Sequence, residues 1–367
     1  MNFKINRLQF LEILQILKSL IDRNNILDVL SGVYLELIDD ILICKTTNLQ
    51  SFMISKLYVT AYSSGKVMVD ISLLVNLLSN IEDGNIHVTI DESNSIVIQT
   101  TSQKFKLKAY SASEFPEIEE SVNLTDPDIS SHDLLEGIRK TKFSISNNET
   151  SNLNNILIKL ELSNLIFVST DGHRLTKFLI ERELKNSNDQ KDDLEIFIDQ
   201  KSILKIEKFL ASTNNCKVLL SRSHICFKSN NLEFCVKLQK SNFPKLVSLF
   251  GEFKHEFDIQ VDNLISELKI IKSIYSANNK IAIFKLSENI LSIFYNSDDK
   301  IESCQRIECK YKGLDFSISI NIDYLFDLLS HMTSCDMLKV RFNDKFSPIQ
   351  ITNHLNHHVG IICPCSV

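Results

Sequence analysis

The chain has 367 residues, 44% of them hydrophobic, enough to bury substantial cores and too long for one ordinary domain. Forty basic residues against 46 acidic ones leave a net charge of −6, which excludes a global basic footprint for nucleic acid but not a local one. Glycine occurs only 8 times, and neither a G-x-G-x-x-G nor a G-x-x-x-x-G-K-[ST] loop is present, so the common phosphate cradles are excluded.

The N-terminal stretch "MNFKINRLQFLEILQILKSLI" is interrupted by Glu12, Gln15 and Lys18, which reads as an amphipathic first helix and not as a signal peptide. A second helical period follows at 70–81, and the others fall at 131–145, 199–212, 261–276 and 321–332. The second, fourth and sixth open on Asp70, Asp199 and Asn321, side chains that accept free backbone N–H groups at a helix start. Between the helices lie alternating strands with polar turns. Three of these hairpins match: "LELIDDILICKTTN" (35–48), "LELSNLIFVSTDG" (160–172) and "FKLSENILSIFYNSD" (284–298). They start 125 and 124 residues apart. Phe115-Pro116, Phe243-Pro244 and Pro364 recur near the same period, each after a strand pattern, where a missing N–H is tolerated.

The pattern defines an α+β fold of three tandem similar domains, spanning 1–125, 126–252 and 253–367, with antiparallel sheets. Acidic 117–128 and residues 246–258 are the expected linkers, and 183–193 is a charged surface loop. No run of about 18 apolar residues occurs, so no transmembrane span is expected. Nine cysteines in no regular framework read as reduced thiols of a cytoplasmic protein.

The sequence "FVSTDGHRLTKF" puts Asp171, His173 and Arg174 on one loop after an apolar strand. A hydrolase or transferase using this loop is one reading, but no nucleophile elbow, H-E-x-x-H or paired carboxylates accompany it. A structural loop, with Asp171 accepting backbone N–H groups, is a second, and the rim of a protein-binding pocket a third. In the tail, His354, His357, His358, Cys363 and Cys365 are zinc-competent types, but Cys-x-Cys is not a usual knuckle spacing and alternation parts His357 from His358. Turn histidines and small apolar cysteines are preferred, with no metal and no cofactor.

For nucleic acid the signal is local. Lys201, Lys205 and Lys208 form one helical stripe opposite Ile203, Ile206 and Leu210. Arg139, Lys140 and Lys142 cluster in the third helical segment, Lys269 and Lys272 lie in the fifth, and Lys18 and Arg23 lie near the first. The six helical segments together are neutral, and the rest of the chain carries the −6. An ordinary solvated face is the alternative reading.

Three in-step repeats, "TDGHRL", two F-P repeat ends and a terminal x-P-x strand together resemble the bacterial DNA sliding clamp, the β subunit of DNA polymerase III, over the whole chain. The resemblance implies a DNA clamp fold: a head-to-tail homodimeric ring, helices lining the hole and sheets outside. It implies a non-enzymatic processivity factor that encircles duplex DNA without reading its sequence. It also implies a cleft where clamp loader, replicative polymerase and repair polymerases dock short peptides. The cleft residues would be Leu153, Thr170, Gly172, His173, Arg174, Leu175, Pro244, Leu249, Asn321, Tyr324, Phe346, Ile361, Ile362, Cys363 and Pro364. The dimer contact would join Phe105 and Leu107 to Ile274 and Tyr275; the alternative is that Phe105 and Leu107 face their own core. This chain departs from the family in Cys363 and Cys365 beside the terminal proline, in its Ser366-Val367 end, and in Ser151 and Asn152 where aromatic DNA contacts are common. A monomeric three-domain adaptor is the further alternative.

Overall fold

Six helices form where apolar residues recur every three or four positions, and each buries that stripe. In the computed structural model, which describes residues 1–21, 28–91, 95–118, 123–182, 194–213, 216–240, 243–244, 251–276, 279–297, 301–332 and 336–365, they are α1 (Arg7–Lys18), α2 (Ile71–Asn80), α3 (Ser131–Thr141), α4 (Gln200–Ser212), α5 (Val261–Ile274) and α6 (Ile322–His331). All six lie within the expected segments. The expected caps are in place: Asp70 Oδ1 accepts from the Leu73 amide at 2.7 Å, Asp199 Oδ1 from Ser202 at 3.0 Å, and Asn321 Oδ1 from Asp323 at 2.9 Å. The charged loop 183–193 lies outside the described residues.

Gly137 in α3 sits against the Phe167 ring, and a Cβ there would overlap the ring edge. Alanine raises helix propensity by about 1 kcal/mol over glycine, but the overlap forces the packed ring to move, at about 1–3 kcal/mol. Gly137→Ala is therefore expected to lower the denaturation midpoint; a raised midpoint would show that the ring gives way freely.

The hairpins close on short polar turns. Strands Gly32–Ile38 and Ile41–Thr47 pair around Asp39, which adopts φ 50°, and Ile281–Ser287 and Ile290–Ser297 pair around Asn289 at φ 57°. Asp and Asn tolerate this left-handed backbone better than other side chains. Among the described residues all strand pairings are antiparallel, and three sheets of 5, 7 and 12 strands result. The chain divides into two compact units, Met1–His132 with Leu204–Leu238, and Asp133–Ile203 with Gln239–Val367. The first holds the 5- and 7-stranded sheets and the second the 12-stranded one. The repeats follow one another along the chain, but strand pairing joins neighbours. Leu232–Lys237 pairs with Ser51–Tyr58 in the first unit, and Arg174–Glu181 pairs with His358–Ile362 in the second.

An unpaired strand edge exposes a row of N–H and C=O groups, and most edges here are covered. Thr125 and Leu220 exchange two backbone bonds beside Lys217–Leu220. Gln239 N donates to Phe197 O at 2.9 Å, and Cys365 N to Ser319 O at 2.8 Å. The edge strand Thr60–Ser63 is only four residues long. Two longer edges stay open among the described residues. Lys104–Lys108 pairs on one side only, with Ser95–Gln99. Ile301–Lys310 pairs along Ile301–Glu308 with Ile290–Ser297, but touches His255–Gln260 only through Cys309 and Lys310.

Two tail and cysteine expectations meet the structure here. The cysteines are not all free thiols: Cys226 and Cys235 are joined by a disulfide in the first unit, whereas Cys44, Cys216, Cys304, Cys309, Cys363 and Cys365 are unpaired with one another. The tail histidines are held apart. His357 Nε2 lies 3.2 Å from Glu181 Oε1, and His358 is buried against the edge of Phe178.

Burial, with Lys140 and His331 nearby, pushes the His358 imidazole from its ordinary 6.5 down to about 3. The unfolded chain therefore binds this proton first. His358 contributes full stability above pH 6.5, and that contribution falls by about 1.4 kcal/mol per pH unit as the pH drops toward 3. Chemical denaturation of His358→Leu is expected to show a flatter pH dependence between 6 and about 4; an unchanged slope would place the acid sensitivity elsewhere.

Candidate peptide cleft and nucleic-acid face

The 171–174 loop is built from its own hydrogen bonds. Asp171 Oδ1 accepts from the amides of His173 and Arg174, both at 3.0 Å. Thr170 Oγ1 donates to Arg174 O at 2.6 Å and accepts from Gly172 N at 3.1 Å. Gly172 adopts φ 93°, where a side chain would strain the backbone. Asp171 thus serves as a turn former, and His173 is not poised on it as a base. The imidazole of His173 is exposed and stacks on the Tyr324 ring of α6 at 6.3 Å.

Arg174 ties this loop to two other elements. Its Nε donates to Asp171 Oδ2 at 3.1 Å, one terminal nitrogen to Asp327 Oδ2 at 2.7 Å, and the other to Phe143 O at 2.6 Å. The guanidinium also lies 4.6 Å from the Tyr324 ring centroid. Its side chain is 12% exposed. Three of the five guanidinium N–H donors are thus spent within the protein. Arg174 organises the site.

The strand register brings the terminal strand here. Ile362 lies beside Arg174 on one side and Ile349 on the other, so the turn carrying Phe346 emerges at the same end of the sheet. Cys363 N donates to His173 O at 2.8 Å. Leu153 Cδ1 lies 3.6 Å from the position a Gly172 Cβ would take. Phe243, next to exposed Pro244, packs on the apolar cluster of Leu157, Ile166, Val168, Leu175 and Ile361. Phe346 is 79% exposed on a turn held by Asp344, whose Oδ1 accepts from its amide at 2.8 Å. Leu153, Tyr324, Cys363 and Pro364 are half-buried.

Other expected cleft residues have different duties. Leu175, Ile361 and Ile362 are fully buried and form the floor beneath the site. Thr170 is buried, and Asn321 spends its side-chain oxygen on the α6 amides. Leu249 lies outside the described residues. Arg174's role escaped the sequence reading because its partners, Phe143 and Asp327, are 31 and 153 residues away.

The helical cations divide in the same way. On α4, Ile203, Ile206 and Leu210 are buried, and Lys201 and Lys208 are exposed opposite them. Lys201 pairs with Glu149 at 2.9 Å. Lys205 donates to Leu20 O at 3.0 Å, closing the end of the α1 segment. Lys208 and Lys18 share a polar hollow with Gln15, Ser19, Asp70 and Ser72. Lys140 donates to His331 O at 2.6 Å. Lys272 is bound to Asp323, so it and Lys140 do not stand free as a phosphate-facing row. Arg139 and Lys269 are exposed and Lys142 is half-buried. Arg23 lies outside the described residues.

Asp323 gathers the end of α5. Besides Lys272, its Oδ1 accepts from Tyr275 OH at 3.0 Å, and Oδ2 lies 2.8 Å from Lys280 Nζ. Although burial opposes it, the hydrogen bonds from Lys272, Lys280 and Tyr275 win, and hold the Asp323 carboxyl down at about 2. Ile274 and Tyr275, expected at the dimer contact, are half-buried at this fixed helix end. Phe105 and Leu107 are half-buried on the open edge strand Lys104–Lys108, between exposed Lys104, Lys106 and Lys108.

Three tandem helix-and-hairpin repeats, antiparallel sheets with open edges, and a turn-built site over an apolar floor define a clamp-type binding protein. Comparison with known proteins agrees. Residues 1–119, 128–245 and 249–364 match in turn the N-terminal, central and C-terminal domains of the DNA polymerase III beta subunit, and the chain belongs to that family. A beta sliding clamp from Mycoplasma capricolum is 26% identical, covering 98% of this chain and 97% of the relative. A crystal structure of the DNA polymerase III subunit beta from Pseudomonas aeruginosa superposes with a TM-score of 0.90 at 20% identity, over 100% of both chains. A sliding clamp from the same organism, bound to griselimycin, superposes with a TM-score of 0.87 at 21% identity, again over 100% of both. Members of this family are non-enzymatic processivity factors, and the chain is one of them. Among the described residues no helix is long and apolar enough to cross a membrane.

Proposed function

We propose that two copies close head to tail into a ring around duplex DNA and tether polymerases through the 171–174 cleft. The observation that carries this reading is the pair of open edges. Lys104–Lys108 of one copy offers free main-chain groups, three exposed lysines and the half-buried Phe105 and Leu107. Ile301–Glu308 of the other offers a free edge with exposed Glu302 and Glu308, and Ser303 Oγ and Gln305 Oε1 lack partners among the described residues. Joining these edges twice by a two-fold axis leaves neither exposed. Ile274 and Tyr275 then meet Phe105 and Leu107. In the cytoplasm, clamp loader, replicative polymerase and repair polymerases compete for one cleft per copy. A Leu or Phe anchor rests among Leu153, Tyr324, Phe346 and Pro364.

In a ring, retention on DNA is topological, so contacts need only be shallow and blind to sequence. Arg139, Lys208 and Lys269, with Lys18, best fit the phosphate-facing role. Loaded on nicked circular DNA, the protein is expected to survive a high-salt wash and to leave when the circle is cut. Equal loss from circular and linear DNA would overturn ring closure. Lys208→Ala with Lys18→Ala is expected to flatten the salt dependence of DNA binding more than Lys201→Ala does, since Lys201 already has a carboxylate partner. Equal slopes in the two variants would remove that assignment.

A further inference from the structure

We propose that Cys226 and Cys235 are a reversible thiol–disulfide couple, oxidised by small-molecule disulfides such as that of glutathione. The pair lies on the hairpin of His224–Ser229 and Leu232–Lys237, joined by Asn230 and Asn231. The register sets Cys226 directly opposite Cys235, with the Cα atoms 4.1 Å apart. That is slightly closer than the roughly 4.4–6.8 Å usual for bridged cysteines, and well inside the distance a bridge can span. Both side chains are fully buried, next to Phe52 of the neighbouring strand Ser51–Tyr58.

The surroundings supply a base and an approach. Glu233 lies two residues from Cys235 on the same strand face, and its Oε1 is 3.4 Å from Cys235 Sγ. A hollow lined by Ile54, Lys56, Tyr58, Lys228, Leu232 and Glu233 opens on the outer side of that carboxylate. Lys56 suits an anionic reagent, and Lys228 pairs with Glu233 Oε2 at 3.2 Å. Glu233 takes the Cys235 proton, and the thiolate attacks one sulfur of RSSR, so a mixed disulfide forms and RS⁻ leaves with a proton. Cys226, losing its proton to the second leaving group, then attacks the Cys235 sulfur and expels RS⁻ as RSH. In sum, two protein thiols and one RSSR give one protein disulfide and two RSH; the protein is oxidised and the small disulfide reduced. Because the sulfurs are buried, the hairpin must open for the reagent to enter, so the reaction is slow in the folded protein.

The test uses the full-length protein equilibrated in glutathione buffers of graded oxidation, quenched in acid and alkylated in denaturant. Of the nine cysteines, two are expected to escape alkylation once the buffer is oxidising. Trypsin then yields residues 223–228 linked to 229–237, separable by reductant. The thermal midpoint is expected to rise by several degrees on oxidation, and Cys235→Ala to remove that rise. Nine alkylated thiols at the same buffer ratio, or a bridge between other cysteines, would overturn the assignment. The thiol count on the wild-type chain decides the matter even if the variant fails to fold.

Discussion

Leu107→Asp is expected to convert a particle of about twice the 42.0 kDa chain mass into one of single-chain mass. Leu107 lies half-buried on the open edge strand, opposite Ile96. Withdrawing a Leu side chain from a contact removes about 1.5–3 kcal/mol, and a carboxylate placed there adds a desolvation cost. A two-fold ring carries each substitution at two interfaces, so dissociation strengthens by well over 100-fold per contact pair, using about 1.4 kcal/mol per factor of ten. Leu162→Asp, at a side chain already 53% exposed on another hairpin, is the control and should leave the mass unchanged. Light scattering coupled to size exclusion, with circular dichroism to confirm folding, checks the result. A Leu107→Asp chain that folds and keeps the double mass would place the contact on another surface.

Arg174→Ala is expected to abolish measurable docking of a peptide with Leu and Phe anchors, because Arg174 holds the loop, Asp327 of α6 and Phe143 together. Its removal leaves the Asp171 and Asp327 carboxylates and the Phe143 carbonyl without the guanidinium, and takes the planar cation off Tyr324. Breaking a buried, hydrogen-bonded ion pair costs about 3–5 kcal/mol; partial exposure of Asp327 moves this site toward the lower end. Lys gathers its donors on one atom and has no plane to stack, so it cannot reach all three partners, and Arg174→Lys should recover little. His173→Ala removes only an exposed ring stacked on Tyr324 and should weaken the peptide by a few-fold. Calorimetric titration of the three variants separates these roles. Wild-type affinity in Arg174→Ala would show that the loop and Tyr324 hold their places without it.

The Cys226–Cys235 pairing stands between what was legible and what was not. Two strand patterns flank Asn230-Asn231, and a two-residue turn alone sets Cys226 opposite Cys235. Their count and spacing along the chain do not show this pairing; their positions across the hairpin do.

The sequence by itself determined the six helices, their Asp70, Asp199 and Asn321 caps, the hairpin turns and the threefold recurrence. Each depends on groups a few residues apart: an apolar period, a side-chain oxygen within reach of the next turn, a backbone that Asp or Asn tolerates. Only the tertiary structure decided that Arg174–Glu181 pairs with His358–Ile362, that Leu175, Ile361 and Ile362 are floor and not wall, and that the charges of Arg174, Lys205 and Lys272 are committed internally. A cation at helical spacing looks the same whether it faces solvent or a carbonyl 185 residues away, as Lys205 faces Leu20. Local chemistry fixes what a segment becomes, while burial and pairing across the sheet fix what its side chains are free to do.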